Sequence, residues 1–166
     1  LTTIQTTAPE AVFLPYYGAD AALILAQAKE LGLDVSFYGA DGIADIVDYV
    51  ADKSMLTRVV YTDHFSTGAQ SEVAVDFVKS FEDEYGKPPT ISFSATGYDA
   101  AVVLLSAIQA AGSTDAQAVV DAIKATNLSA VSGNITFDDH NDPIKSTFFQ
   151  TFDSEGNKVF LKQVDP

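Results

Sequence analysis

Apolar positions along the chain fall into runs of different period. Ala11-Val12-Phe13-Leu14-Pro15 is a short continuous apolar run, the pattern of a strand buried on both faces. Asp20 then precedes the apolar stretch Ala21 to Leu31, and Gly32 follows it, which reads as N-cap, helix and C-terminal glycine. Val35-Ser36-Phe37-Tyr38 is a second strand, ending in Gly39-Ala40-Asp41-Gly42. Ile43, Ile46, Val47 and Val50 recur at helical spacing until Asp52-Lys53-Ser54 breaks the pattern, and Arg58-Val59-Val60-Tyr61-Thr62 is a third strand. Residues 11–62 thus predict a parallel α/β layer with right-handed crossovers.

The pattern then changes. Glu72 to Tyr85 carries Val73, Phe77, Val78 and Phe81 on one helical face and is stopped by Gly86 and Pro88-Pro89. Ile91-Ser92-Phe93-Ser94 reads as a short extended link. Thr96 to Ala111 is a helix apolar nearly all round, expected to be buried, and Gly112 closes it. Thr114 or Asp115 caps a further helix, Ala116 to Ala125. Three helices in succession predict a cover for a sheet whose strands lie elsewhere. The end of the chain is β: a strand Asn134 to Phe137, a turn Asp138 to Pro143, then Thr147 to Phe152 and Lys158 to Val164 flanking the hairpin loop 153–157.

At 166 residues the chain is one domain or parts of two, and its 47% hydrophobic and 19% charged residues are an ordinary globular composition. A net charge of −14 disfavours nucleic acid and anionic membrane surfaces as partners. No apolar run approaches the ~20 residues of a membrane helix. With no cysteine there is no disulfide, thiol nucleophile or cysteine metal site. The first nine residues have neither the basic nor the apolar region of a signal peptide and read as the last turns of a helix cut off upstream, so a fragment or a processed chain is expected.

Glycine-rich phosphate loops and a G-x-S-x-G elbow are both missing, and His64 and His140 are the only side chains whose ordinary pKa lies near neutrality. Neither histidine has a nearby serine in a strand-turn-helix setting, so no enzyme is expected. Asp138, His140 and Asp142 alternate as calcium ligands do, but Pro143 replaces the turn glycine, and a solvated hairpin turn fits better. Asn127-Leu128-Ser129 and Asn134-Ile135-Thr136 match the glycosylation pattern, which is common by chance.

Ligands of open α/β sheets sit outside the carboxyl ends of the strands, and there the chain carries Tyr17 and Asp41. A carboxylate at Asp41, between the small residues Ala40 and Gly42, suits a ligand ammonium; it equally suits the cap of a following helix. Tyr17 suits a pocket wall with its hydroxyl free to bond, or a loop side chain packed on the sheet edge.

Several stretches in order resemble the type I periplasmic binding proteins, in particular the branched-chain amino acid solute-binding group of ABC transporters. They are residues 9–17, 27–33, Tyr38-Gly39-Ala40-Asp41-Gly42, Phe77-Val78-Lys79 with 85–89, 95–100, and 132–138 ahead of the hairpin. The resemblance is to the C-terminal half of that family. It implies an α/β fold, a three-layer parallel-sheet lobe of a two-lobe protein with a terminal β-hairpin. Residues 1–63 would belong to the C-terminal lobe, 64–143 would be a helical part of the N-terminal lobe, and 144–166 would return to the C-terminal lobe. It implies Asp41 as ammonium-binding acid, Tyr17 as ligand wall and Phe93 as an aromatic contact from the other lobe, although Phe93 equally suits core packing. No cofactor and no metal are implied. The implied ligand is an amino acid, of the branched-chain type first, with an amide, a urea-like or an aromatic acid ligand, or a sensor role, as alternatives. The implied partner is an ABC-transporter membrane permease, in the periplasm or outside the cell, with or without a lipid anchor. The ligand carboxylate would be held by the N-terminal half, so that half is expected as another chain or segment, or two copies are expected to associate.

Overall fold

The computed structural model describes residues 1–166. In chain order its elements are α1 (Thr2–Thr6), β1 (Ala11–Leu14), α2 (Gly18–Glu30), β2 (Ser36–Gly39), β3 (Val59–Asp63), α3 (Glu72–Tyr85), α4 (Phe93–Ala111), α5 (Ala116–Lys124), β4 (Leu128–Ala130), β5 (Gly133–Phe137), β6 (Pro143–Ile144), β7 (Thr147–Phe152) and β8 (Lys158–Val164). They form two units: residues 1–63 with 148–162, and residues 64–147 with 163–166.

The first unit is built on a five-stranded sheet of order β1-β2-β3-β7-β8. Strands β1, β2 and β3 are parallel, with Leu14 opposite Gly39 and Gly39 opposite Tyr61, whereas β7 runs antiparallel to β3. One sheet face is apolar: Val12, Leu14, Phe37, Val59, Tyr61 and Phe152 are buried together with Ala21, Leu25 and Ala28 of α2. Tyr61 and Phe152 stack at 5.4 Å between ring centroids. β1 is therefore buried on one face and not on both: Phe13 is 64% exposed, and its partner across the ladder, Tyr38, is 47% exposed. A short apolar run carries no period by which to tell these cases apart.

Helix α2 starts three residues earlier than a cap at Asp20 would place it. Tyr17, extended at φ −91°, ψ 162°, takes the cap position, and Asp20 lies in the first turn, where an acid still favours the helix dipole. Its first residue is crowded: a Cβ on Gly18 would fall on Asp45 Oδ1 and lie 2.9 Å from the Ile46 amide nitrogen. Residues 43–50 are not an α-helix. Two single 3-10 turns, Asp41–Ile43 and Ile46–Asp48, occupy the stretch and still bury Ile43, Ile46 and Val50, because a spacing of three or four fits either helix type. A third 3-10 segment, Lys53–Arg58, is capped by Asp52, which accepts from the Ser54 amide. Hydrogen bonds from Lys29 first, and then from Ser54, hold the exposed Asp52 carboxyl down at about 2. The hairpin loop closes as expected, with Asp153 accepting from the Glu155 and Asn157 amides at 2.9 Å.

The second unit is not purely helical. Strands β4, β5 and β6 form their own antiparallel sheet, and Val103 of α4 packs on Ala130 and Ile135 with Ile123, Leu128 and Phe137 around them. Helix α3 has the expected caps, with Ser71 accepting from the Ala74 amide and Gly86 left-handed at φ 73°. Asp115 caps α5 by accepting from the Gln117 and Ala118 amides. Phe93 is no part of an extended link: it is the first residue of α4. That helix is not buried all round. It buries the stripe Ala95, Asp99, Val103 and Ala107, while Leu104 and Leu105 are 46% and 65% exposed.

Candidate functional site

Parallel pairing puts the carboxyl ends of β1 and β2 side by side, so the loops 15–17 and 40–42 emerge together. Tyr17 is 73% exposed. The edge of its ring rests on the second loop: an ideal Cβ on Gly42 would lie 3.2 Å from Tyr17 Cδ1 and 3.4 Å from Cε1. Asp41, half-buried, is the residue before Gly42 and the first of its 3-10 turn, and its carbonyl accepts from the Ala44 amide at 3.0 Å. Ala40, not Asp41, stands at the capping position of that turn. The structure thus brings the loops that carry Tyr17 and Asp41 together, an exposed tyrosine and a half-buried carboxylate at adjacent strand ends. Such a pair complements a ligand with a cationic amine and an apolar body. Phe93, 53% exposed, belongs to the second unit.

Sequence reasoning missed the polar groups on the buried sheet face. Asp63 is 3% exposed and accepts from Gln150 Nε2 at 3.2 Å. Burial pushes the Lys158 ammonium down, opposed by the charges of Asp63, Asp45 and Asp48. The same burial, with Asp63 adding to it, pushes the Tyr61 hydroxyl up, and that hydroxyl has no hydrogen-bond partner. The one signal in the sequence was Asp63 itself, a charge closing an otherwise apolar strand. In the second unit, Asp99 is 3% exposed inside α4 and accepts from the Val131 and Ser132 amides, both at 2.8 Å. Asp138 accepts from the His140 and Asp142 amides, so that stretch is a hairpin turn, and no group of three or more His, Cys, Asp or Glu is placed to hold a metal. A cavity of about 290 Å³ in the first unit is lined by Leu25, Leu33, Phe37, Met55 and Arg58. It lies toward the amino ends of the strands, and neither Tyr17 nor Asp41 reaches it.

The model of the periplasmic binding protein family matches residues 1–157. The chain belongs to the periplasmic binding protein family. Its relatives lie in the type I, branched-chain amino acid group that its motifs resemble. The leucine-, isoleucine-, valine-, threonine- and alanine-binding protein of Pseudomonas aeruginosa is 27% identical over 133 residues, 79% of this chain and 35% of its own length. A Leu/Ile/Val-binding protein homolog of Brucella abortus is 28% identical over 138 residues, 76% of this chain and 33% of its own. The leucine-binding protein LivK of Thermotoga maritima superposes with a TM-score of 0.90 at 30% identity, covering 99% of this chain and 47% of that one. LivJ of Streptococcus pneumoniae, solved with isoleucine, shares the fold at a TM-score of 0.78 and 22% identity. The chain spans about a third of the length of the curated relatives and about half of LivK. This periplasmic binding protein has no helix long and apolar enough to cross a membrane.

Proposed function

We propose that this chain is part of a solute-binding protein of an ABC transporter, that it binds an apolar amino acid, and that it hands that ligand to a membrane permease outside the cytoplasm. The observation that carries the reading is the Tyr17–Asp41 pair at adjacent strand ends. The Asp41 carboxylate takes the ligand ammonium, and the exposed Tyr17 ring lines its apolar body. The first unit with its sheet corresponds to the C-terminal lobe, and the second unit to part of the N-terminal lobe. The ligand carboxylate is then met by residues outside this chain, in a first half supplied as a further segment, another chain or a second copy. The names of the relatives support the ligand class. The chain has no nucleophile–base pair, and its role is binding and not catalysis.

The test is a thermal-shift screen of the full-length protein against the amino acids, followed by titration of the Asp41→Ala variant. A leucine-like ligand is expected to raise the melting temperature, because binding to the native state stabilises it by mass action. Removing one partner of a buried ion pair costs about 2–5 kcal/mol in binding, so Asp41→Ala is expected to weaken affinity by tens- to thousandsfold. An affinity within about threefold of wild type would exclude Asp41 as the anchor. A shift with an aromatic acid and none with any amino acid would overturn the ligand class.

A further inference from the structure

Gly42 stands where a side chain would collide with Tyr17. An ideal Cβ there lies 3.1 Å from the Tyr16 carbonyl oxygen, 3.2 Å from Tyr17 Cδ1 and 3.4 Å from Tyr17 Cε1. Carbon atoms attract best at about 3.5–4.0 Å, so the Cδ1 contact would be tight, needing the ring to give by a few tenths of an ångström, while the Cε1 contact is at the near edge of ordinary packing. Gly42 is not among the glycines with positive φ. Its backbone therefore suits any residue, and space alone calls for glycine. The ring pressed on it is 73% exposed, so one edge of Tyr17 is seated on Gly42 and the rest faces outward.

We propose that Gly42 is a positioning residue for the ligand wall: the missing side chain lets the Tyr17 ring lie back on the Asp41-Gly42 turn, and this sets how large an aliphatic side chain the site admits. The inference rests on Tyr17 being that wall. A methyl at position 42 has two neighbours to displace, the Tyr16 carbonyl and the Tyr17 ring edge. The free direction for the ring is outward, the side from which the ligand approaches. The space beside Asp41 narrows, and a large apolar amino acid loses more than a small one. The site so described grades amino acids by side-chain volume, with leucine favoured over alanine because the ring is held back.

The experiment compares Gly42→Ala, Tyr17→Ala and the double variant in the full-length protein, titrated with leucine and with alanine by calorimetry. One methylene of pocket space is worth about tenfold or more in discrimination. Gly42→Ala is therefore expected to lower the leucine-to-alanine affinity ratio by about tenfold. In the Tyr17→Ala background the same substitution is expected to leave the ratio unchanged, since the ring it displaces is gone. An unchanged ratio in Gly42→Ala alone overturns the proposal, and so does an equal change in both backgrounds, which would mean that position 42 acts through its backbone. If Tyr17→Ala leaves both affinities intact, Tyr17 is not the wall and the reading beneath the proposal falls. A readout free of ligand keeps the seating testable even if Gly42→Ala fails to fold. The Gly42 α-protons are expected to show a ring-current shift in the NMR spectrum that disappears in Tyr17→Ala, and its absence from the wild type overturns the seating.

Discussion

The Asp99 carboxylate reaches out of α4 to two consecutive amides, Val131 and Ser132, at 2.8 Å each and in a buried setting. A buried N–H left without its acceptor costs about 1–3 kcal/mol, so Asp99→Ala is expected to lower the stability of the second unit by about 2 kcal/mol or more. Chemical denaturation of the full-length protein checks this, with hydrogen exchange at Val131 and Ser132 as the local readout; a midpoint equal to wild type would mean that water replaces the carboxylate. Asp99 stands in the sequence inside Gly97-Tyr98-Asp99-Ala100-Ala101, with nothing to mark it as buried. Its partners lie more than 30 residues on, and a contact of that range leaves no local pattern. Tyr17 and Asp41 were legible because their places follow from a local rule, the carboxyl ends of parallel strands. The ring of Tyr17 lying on Gly42 was not legible, since it depends on how two loops meet. A Cβ at position 42 would lie against that ring, so the small residue leaves room for the tyrosine.

At the scale of elements, α2 and α4 show what a hydrophobic pattern reports and what it leaves out. The α2 pattern placed the helix, but not the crowding at its first residue: Gly18 lies against Asp45 and the Ile46 amide. Overpacking of this kind costs about 1–3 kcal/mol, so Gly18→Ala is expected to lower the denaturation midpoint accordingly. Gly97 is the matched control. It sits within α4, a Cβ there would meet nothing within 4 Å, and Gly97→Ala is expected to stabilise by about 0.5–1 kcal/mol through helix propensity and chain entropy. If both substitutions shift the midpoint in the same direction, Gly18 is not too crowded for a side chain. The α4 pattern, apolar nearly all round, was read as burial, and the helix shows one buried stripe with Leu104 and Leu105 exposed. Hydropathy states which faces tolerate cover, not which faces this chain covers. The stretch 43–50 went wrong for another reason: apolar residues three or four apart satisfy a 3-10 turn as well as an α-helix. Strand β4 went unread because three residues, Leu128 to Ala130, are too few to display a period.

For the whole molecule, two apolar surfaces stand open, Phe13 with Tyr38 on the sheet and Leu104 with Leu105 on α4. Contiguous apolar patches left open in this way are where a partner surface would pack. The 166-residue chain alone is expected to self-associate at micromolar concentration in sedimentation velocity, and addition of the first half of the full-length protein is expected to suppress that association; a stable 17.6 kDa monomer with a cooperative melt would show that these surfaces need no cover. The α/β class and the terminal hairpin were legible at this scale because strands and crossovers are local. The return of the last strands to the first unit followed from the family resemblance, but the pairing of β7 with the edge of β3 did not, since nothing local marks which edge a late strand will choose. That pairing has a consequence during synthesis on the ribosome. β3 pairs with β2 early, but its other edge is filled by β7 only after the whole of residues 64–146 has been made. At ~5–20 residues per second this leaves an unpaired strand edge exposed for several seconds. Such an edge is a template for wrong pairing with a neighbouring nascent chain. The sheet is therefore most vulnerable to aggregation before its last two strands emerge, and a chaperone that shields nascent chains would matter most in that interval.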